Sequence, residues 1–217
     1  MSTFSTDCSL CPRLAGFLQQ VKATHPDYFA KPVPSFGDPQ ARLLVVGLAP
    51  GMHGANATGR PFTGDHAGIL LYETLFATGF ATQPESLSAD DELQLPDCRI
   101  TNAVRCLPPG NKPVGLEVNT CNPFLAEELA TLPIGAVVLT LGGIAHKAVI
   151  KALGLRQADY PFGHALEYEL DNQLTILTSY HCSRYNTQTG RLTAAMFHDA
   201  VAKAAVLAGL REGVPSV

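Results

Sequence analysis

Arg42-Leu-Leu-Val-Val46 runs directly into Gly47-Leu-Ala-Pro-Gly-Met-His-Gly-Ala-Asn-Ala-Thr-Gly-Arg-Pro-Phe-Thr-Gly-Asp65. The first segment has the apolar character of a buried strand. The second contains five glycines and two prolines, a composition that is typical of a loop. Because glycine has no Cβ, such a loop can bring backbone N–H groups close to a ligand. In open α/β sheets, loops at the carboxyl ends of buried strands are where ligands bind.

Further elements are predicted by the spacing of apolar residues along the chain. Short apolar runs predict buried strands at residues 99–104, 136–141 and 174–178. Helical spacing predicts helices at residues 68–76, 123–132, 144–153 and 192–208. Asn122 would cap the second of these helices, with Pro123 at its first position. Since strands alternate with helices, we predict an α/β fold with three layers (α/β/α), in which helices cover both faces of a central, mostly parallel sheet.

Two stretches are predicted to lie outside these regular elements. Residues 160–169 indicate a hairpin or an irregular excursion, and the polar residues 82–97 indicate a surface loop. The proline-rich residues 31–39 indicate a rigid approach to the first strand rather than a joint between domains. We therefore predict a single domain that spans residues 1–217.

Composition narrows the class of protein. A length of 217 residues with 46% apolar residues suits one domain with a full hydrophobic core. No apolar run approaches the ~20 residues of a membrane span, and the first residues show no basic stretch followed by an apolar one. We therefore expect a cytoplasmic protein that has no secretion signal and no membrane partner. The net charge of −4 argues against a general nucleic-acid coat but is compatible with a local basic surface.

Chemically useful side chains follow the predicted strands at the edge where the carboxyl ends of parallel strands meet. Phe62 and Asp65 follow the first strand, Asn102 lies in the second, and His181 follows the fourth. Each of these residues alone is more often structural, as a core ring, a helix cap, a turn amide or a satisfied histidine. Together they indicate a site, because an aromatic ring stacks on a flat ligand, an amide reads a base edge, and histidine with an acid handles charge and water.

Six cysteines in a chain without a secretion signal indicate metal binding or chemistry rather than disulfides. Cys8 and Cys11 form a C-x-x-C pair, and Cys106 and Cys121 follow at a distance. Four thiolates could hold an iron–sulfur cluster or a zinc ion, whereas a C-x-x-C pair alone also occurs in thiol redox proteins. From the spacing we predict that these four cysteines bind a metal and that the remaining two are free thiols.

Several motifs together carry a family resemblance. They are Gly47-Leu-Ala-Pro-Gly-Met-His-Gly-Ala-Asn56, Gly59-Arg-Pro-Phe-Thr-Gly-Asp65, Thr101-Asn-Ala-Val-Arg-Cys-Leu-Pro-Pro109, Ser179-Tyr-His-Cys-Ser-Arg-Tyr-Asn-Thr187 and Thr189-Gly-Arg-Leu-Thr193. In combination, from Cys8 to about Thr193, the chain resembles the uracil-DNA glycosylase superfamily. It looks most like the type-five branch of bacteria and archaea, which carries a four-iron, four-sulfur (4Fe–4S) cluster.

The resemblance implies a uracil-DNA glycosylase-like fold and a monofunctional hydrolase. Such an enzyme cleaves the N-glycosidic bond of uracil, and of other deaminated bases, in DNA and so initiates base excision repair. The base would be flipped out of the duplex, which costs least at a mismatch. We expect a monomer associated with the nucleoid of a prokaryote. An N-terminal segment of about residues 1–40 would contribute to binding the cluster.

The resemblance also implies roles for individual residues. Asp65 would position or polarise the attacking water, or stabilise the sugar cation. His181 would hydrogen-bond the departing base and stabilise the charge that it gains. The pocket would be formed by Gly47, His53, Phe62 and Asn102. The loop from Ser183 to Arg191 would press into the minor groove. Contacts to the DNA backbone would come from Arg60, Arg184, Arg191 and the glycine amides. The cluster ligands would be Cys8, Cys11, Cys106 and Cys121.

Two positions depart from the family pattern. Cys182 stands where the resemblance leads us to expect a proline, whose ring would lock its own φ next to His181. Ala57 stands where a basic residue is common, which weakens the expected DNA affinity at that point. The Cys182 departure motivates an alternative, a non-catalytic binder of damaged or abasic DNA. A third interpretation is an iron–sulfur redox protein with a nucleotide pocket, although the first loop lacks the G-x-G-x-x-G pattern of dinucleotide sites.

Overall fold

Four parallel strands form the centre of the sheet in this computed structural model, which describes residues 4–210. The first three residues of the predicted N-terminal segment and the last seven of the predicted domain lie outside the described residues. The strands within the described residues are β1 (Phe36–Gly37), β2 (Leu43–Gly47), β3 (Cys98–Asn102), β4 (Val137–Leu141), β5 (Glu167–Glu169) and β6 (Thr175–Ser179). Their order in the sheet is β1-β3-β2-β4-β6-β5, and the two edge strands are antiparallel to their neighbours.

Helices cover both faces of this sheet. The central strands are buried on both sides, as their continuous apolar runs predict. The helices of the described residues are α1 (Pro12–Thr24), α2 (Ala55–Thr58), α3 (His66–Ala77), α4 (Gly115–Ala130), α5 (Gly143–Ala152), α6 (Arg184–Gln188) and α7 (Ala194–Leu207). In β2, Leu43 and Val45 belong to a core cluster with α3 and α7, whereas Leu44 and Val46 belong to a cluster with α4 and α5. The predicted three-layer α/β/α fold is therefore confirmed.

A third core cluster lies beside the sheet, where α1 packs on α4 and on the chain that follows β3. Leu14, Leu18 and Val21 of α1 are buried there against Val104 and Phe124. The helix α1 was not among the elements predicted from the sequence, although Pro12 at its first turn and the i, i+4, i+7 spacing of these three residues are helix signals. Among residues 4–210, every helix is too short or too polar to span a bilayer.

The start predicted for α4 was wrong. The helix begins at Gly115, and Pro123 lies inside it. The true cap lies upstream, where the Glu117 carboxylate accepts a hydrogen bond from the backbone N–H of Val114 at 2.9 Å and pairs with Arg13. Asn122, the expected cap, instead donates its amide to the carbonyl of Ala148 at 2.8 Å. Proline costs one internal hydrogen bond, which the packing of α4 offsets here.

Smaller differences concern short elements. The helices α2 and α6 lie inside segments that read as loops, and β3 ends at Asn102 rather than at residue 104. The edge strand β5 falls in the excursion predicted at residues 160–169, and β1 falls in the proline-rich approach. A strand of two or three residues is too short for an alternating pattern to appear in the sequence.

A core substitution should separate the sheet's contribution to stability from surface effects. Leu139 in β4 is fully buried, so Leu139→Ala removes packed volume and is expected to lower the free energy of unfolding by about 2–5 kcal/mol. Leu116→Ala, at a position that is 75% exposed, should change it by less than about 0.5 kcal/mol. Urea unfolding followed by circular dichroism measures both, and equal losses would contradict the buried position of β4.

Candidate active site

The register of two central strands sets the first part of the site. Gly47 and Asn102 are direct partners at the carboxyl ends of β2 and β3. The loop after β2 adds Phe62 and Asp65, and the chain after β6 adds His181. The structure brings the last four residues around one pocket with a volume of about 220 Å³. Their predicted convergence at one edge of the sheet is therefore observed.

Phe62 is held in an unusual backbone conformation at the pocket wall. Its φ of 55° lies in the left-handed region, which costs free energy for a residue with a bulky side chain. Its ring stacks near His181, with centroids 5.9 Å apart and planes inclined by 25°. A Cβ on Gly68 would lie 1.7 Å from the carbonyl oxygen of Phe62, so only glycine permits this approach by α3. A strained and tightly supported aromatic residue of this kind is characteristic of a functional site.

Gly47 makes room for the two groups above it. A Cβ at this position would lie 2.5 Å from Oδ1 of Asn102 and 2.6 Å from Cζ of Phe62, closer than real Cβ contacts. The absence of a side chain therefore allows the amide and the ring to share one pocket. The predicted role of Gly47 in the pocket stays a prediction, with this close approach as its physical basis.

Two buried polar atoms in the pocket have no hydrogen-bond partner among the described residues. They are Oδ1 of Asn102 and Nδ1 of His181. Asn102 is only 3% exposed, and a buried polar group without a partner costs about 1–3 kcal/mol. Such a cost is usually offset by a ligand or a bound water. The pocket is thus arranged to receive a molecule with polar groups at its edge.

His181 is fixed by its neighbours. Asn186 donates its side-chain amide to the carbonyl of His181 at 2.8 Å, and the thiol of Cys182 donates to the carbonyl of Ala67 at 3.4 Å. Cys182 is fully buried in the core cluster of α3 and α7. Packing therefore restrains the backbone at the position where the resemblance led us to expect proline. Burial lowers the pKa of His181, an effect that the charge of Asp65 partly opposes, so the imidazole is neutral near pH 7.

The two carboxylate oxygens of Asp65 have different surroundings. Its Oδ1 accepts a hydrogen bond from the backbone N–H of Gly68 at 2.9 Å and so caps α3. Its Oδ2 faces the glycine loop, where a Cβ on Gly54 would lie 2.6 Å from it and one on Gly51 would lie 3.3 Å away. The helix cap and the pocket carboxylate, which the sequence offered as alternatives, are thus the same group.

Two predicted site residues lie elsewhere. His53 is exposed and accepts or donates a hydrogen bond at 2.7 Å with the hydroxyl of Tyr28, outside the residues that line the pocket. Arg60 is only 5% exposed, pairs with Asp91 and lies over the ring of Phe36 at 4.2 Å. Its guanidinium is bound inside the protein in this structure, and the predicted contact from Arg60 to the DNA backbone stays a prediction. Neither change could be read from residue type alone, because both partners are distant in sequence.

The chain after His181 forms an exposed rim beside the pocket. Ser183 lines the pocket and caps α6 by accepting from the backbone N–H of Asn186 at 3.4 Å. Arg184 is exposed and borders a second, larger cavity that shares Phe62 and Asp65 with the pocket. Arg191 is also exposed, with its guanidinium 4.6 Å from the centre of the Tyr180 ring. Ser183 and Arg184 thus border cavities that include Phe62 and Asp65, and the DNA contacts predicted for Ser183, Arg184 and Arg191 stay predictions.

Sequence reasoning missed two residues of this region. Asn111 lines the pocket from the turn at Pro109–Asn111, with a left-handed φ of 56°. The Pro-Pro-Gly-Asn sequence predicts a turn but not that the turn reaches the pocket. Tyr185 at the start of α6 is 71% exposed beside Arg184, and a large exposed aromatic residue next to a cation was a usable signal.

Four cysteines line one cavity between α1, α4 and the chain after β3. Cys11 precedes α1, Cys121 lies on α4, and Cys8 and Cys106 come from the adjoining chain segments. The backbone N–H of Arg105 donates to Sγ of Cys121 at 3.4 Å. The cysteines that the spacing grouped are therefore together in space.

The four thiols of this cavity differ in exposure, since Cys106 and Cys121 are buried and Cys8 and Cys11 are half-buried. Burial, together with the neighbouring sulfurs, raises the pKa of Cys106 to about 12, and burial also raises the pKa of Cys11 and Cys121. Within the part of the chain that the structure describes, no three His, Cys, Asp or Glu side chains lie close enough to bind one metal ion. A cluster with several irons spaces its thiolates more widely than a single ion does, because each sulfur binds a different iron.

Comparison with known proteins agrees with this geometry. The family described as "Uracil DNA glycosylase superfamily" matches residues 34–205. A protein of Thermus thermophilus named "Type-5 uracil-DNA glycosylase" is 48% identical over 94% of this chain and 95% of its own length. Proteins of the same name from Mycobacterium leprae and Pyrobaculum aerophilum are 43% and 40% identical over 94% of this chain, and over 92% and 90% of their own lengths. The fold, the convergent pocket and these matches agree, and the chain belongs to the uracil-DNA glycosylase superfamily.

Proposed function

We propose that this protein is a monofunctional uracil-DNA glycosylase, which hydrolyses the N-glycosidic bond of uracil in DNA and so initiates base excision repair. One observation carries the proposal: Phe62, Asn102, His181 and Asp65 surround a single pocket in which two polar atoms lack partners among residues 4–210. The names of the related proteins support the substrate. Other deaminated bases belong to the same proposal as additional substrates.

Recognition of the base would rest on stacking and on one amide. Phe62 offers a flat ring, and aromatic stacking on a base is worth about 1–3 kcal/mol. The free Oδ1 of Asn102 can accept the N3–H of uracil, while its Nδ2 can donate to the O4 oxygen. Cytosine presents an acceptor and a donor in the opposite order, so the same amide orientation disfavours it. The pocket therefore supports selection of uracil over the normal base from which it arises.

His181 and Asp65 would act on the two charges that develop as the bond breaks. The departing base becomes anionic, and a neutral imidazole can donate its N–H to it without carrying a full charge. The sugar becomes electron-poor, and the carboxylate of Asp65 can stabilise it and orient a water for attack. Oδ1 of Asp65 stays bonded to Gly68, which fixes the direction of Oδ2. Both groups are thus held before the substrate arrives.

The exposed rim would hold the DNA around the flipped base. Ser183, Arg184 and Arg191 would contact the DNA, and Tyr185 offers an exposed ring next to Arg184 in the chain. Such contacts suit a protein that acts as a monomer on nucleoid DNA in a prokaryotic cytoplasm.

The cysteine cavity would hold a 4Fe–4S cluster, with Cys8, Cys11, Cys106 and Cys121 as ligands. The donor set fits, because four thiols, two of them buried and two half-buried, share one cavity and a backbone N–H already points at one sulfur. A bound cluster would join the N-terminal segment, the chain after β3 and α4 into one structural unit. The cysteines contribute ligation and packing, and none of the four lines the base pocket.

The proposed activity can be tested directly. The purified protein with its cluster is incubated with a duplex oligonucleotide that contains one uracil opposite guanine and is then treated with alkali. Strand scission at the uracil is expected, with free uracil released. Tight binding of the duplex without base release would instead support a non-catalytic binder, and reduction coupled to a small substrate without base release would support a redox protein.

Asp65→Asn tests the role of the carboxylate while retaining a side chain that can cap α3. We expect single-turnover excision to slow by about 10²-fold or more, because the charge that orients water and stabilises the sugar is lost. DNA affinity should change little. Asp159→Asn, which removes an exposed ion pair with Arg156, is the control. An unchanged excision rate in Asp65→Asn would remove Asp65 from the chemistry.

Gly47→Ala tests the close approach of the ring and the amide. The new Cβ must displace Phe62 or Asn102, and a displacement of about 1 Å in a site can cost about 10²-fold in rate. Gly16→Ala on α1 adds the same atom where nothing lies within 4 Å and should leave excision unchanged. Single-turnover excision rates of both variants show whether the added Cβ at position 47 disturbs the pocket. Wild-type activity in Gly47→Ala would show that the pocket is not constrained as described.

His181→Gln tests the neutral state of the imidazole through stability. Because the folded pKa of His181 lies below its ordinary value of about 6.5, the unfolded chain takes up this proton first as the pH falls. The wild type should therefore lose stability between about pH 7 and about pH 5 more steeply than His181→Gln does. His198→Gln, at an exposed position on α7, is the control. Parallel stability curves for the wild type and His181→Gln would contradict burial of a neutral imidazole.

A further inference from the structure

One buried acid lies between the base pocket and the cysteine cavity. The chain at residues 101–106 carries Asn102, which lines the pocket, and Cys106, which lines the cavity. Glu128 on α4 contacts this chain near both ends. Its side chain is only 12% exposed, so it is a buried carboxylate outside the site described above.

The contacts of Glu128 are made to the immediate neighbours of these two functional residues. Thr101 donates its hydroxyl to Oε2 of Glu128 at 2.7 Å, and the guanidinium of Arg105 pairs with the same oxygen. Arg99 donates to Oε1 at 3.1 Å, and Ser35 donates its hydroxyl to that oxygen as well. Burial alone would raise the pKa of Glu128, but these partners together hold it below its ordinary value, so the carboxylate is ionised.

Asn102 depends on its backbone for its position. Its Oδ1 has no partner within residues 4–210, so no bond to that atom orients the amide before a base binds. The strand that carries it is attached to β2 by the N–H of Ala103, which donates to the carbonyl of Gly47 at 2.9 Å. On its other side, the bond from Thr101 to Glu128 attaches the same strand to α4.

The cysteine cavity depends on the same attachment. Glu128 and Cys121 are seven residues apart on α4 and so lie on one face, two turns from each other. Arg105, which pairs with Glu128, also donates its backbone N–H to Sγ of Cys121 and precedes Cys106 in the chain. Movement of Arg105 would therefore displace both the donor to one ligand and the backbone of another.

We propose that Glu128 is a positioning residue that holds Asn102 and the cysteines Cys106 and Cys121 in a fixed spatial relation. It acts on base recognition through Thr101 and on the cysteine cavity through Arg105. The effect on excision rests on the proposed function, whereas the attachment of residues 101–106 to α4 does not.

Glu128 acts through two contacts: the bond with Thr101, here called the strand arm, and the pair with Arg105, here called the cavity arm. Two variants separate them. Thr101→Val cuts the strand arm alone and should lower kcat/KM for uracil excision about tenfold while leaving the iron content and its rate of release to a chelator unchanged. Glu128→Gln removes the charge that both arms share. It should lower excision at least as much, accelerate iron release about tenfold, and speed amide hydrogen exchange in the peptide that spans residues 98–106.

Val149→Ala is the control for general loss of stability, since Val149 is fully buried in the cluster of α4 and α5. At equal distance from its melting temperature, it should show wild-type excision, iron release and exchange at residues 98–106. Wild-type excision in Thr101→Val would overturn the strand arm. Iron release and exchange in Glu128→Gln no faster than in Val149→Ala would overturn the cavity arm.

The hydrogen-exchange comparison keeps the inference separate from the proposed function. If the wild type releases no uracil, the glycosylase proposal fails, and faster exchange at residues 98–106 in Glu128→Gln still supports the attachment. If the wild type releases uracil and Glu128→Gln changes neither excision nor exchange, the glycosylase proposal stands and the role of Glu128 is refuted.

Discussion

The pairing of Gly47 with Asn102 across two parallel strands is the constraint on which the site depends. The register places both residues at the same level of the sheet edge, and the missing Cβ leaves space above the strand for a ring and an amide. A one-residue slip would turn the amide to the opposite face of the sheet. The burial of both faces of these strands makes such a slip costly, so the hydrophobic core itself fixes the geometry of the pocket.

The groups around this pocket are rigid for independent reasons. Phe62 is held in a left-handed conformation by the close approach of α3, His181 by Asn186 and the buried Cys182, and Asp65 by its cap bond. A proline at position 182 would restrain the backbone through its own ring. Cys182 restrains the same backbone through its packing in the core. A site that is ordered before binding loses little conformational entropy when the substrate arrives.

Much of this arrangement could be predicted from the sequence. Continuous apolar strands that alternate with helices predicted the layered sheet, and strand ends that carry Phe62, Asp65, Asn102 and His181 predicted their convergence. The burial of Arg60 and the position of His53 could not be predicted, because each is decided by a partner far away in the chain. The start of α4 was predicted wrongly because Asn122-Pro123 is a common start signal, whereas the actual cap is the local bond between Val114 and Glu117. Propensity and spacing describe neighbours in sequence, whereas a distant carboxylate or hydroxyl decides where a polar side chain finally lies.

The burial of Arg60 affects how strongly the protein would associate with intact DNA of any sequence. An arginine that stays enclosed by Asp91 and Phe36 would release no counterions from a duplex, and the chain as a whole is acidic. Attraction over long distances would then be weak, and association would vary less with ionic strength than it does for strongly basic proteins. Such a protein would dissociate readily from intact duplex and spend its residence time where a lesion opens the helix.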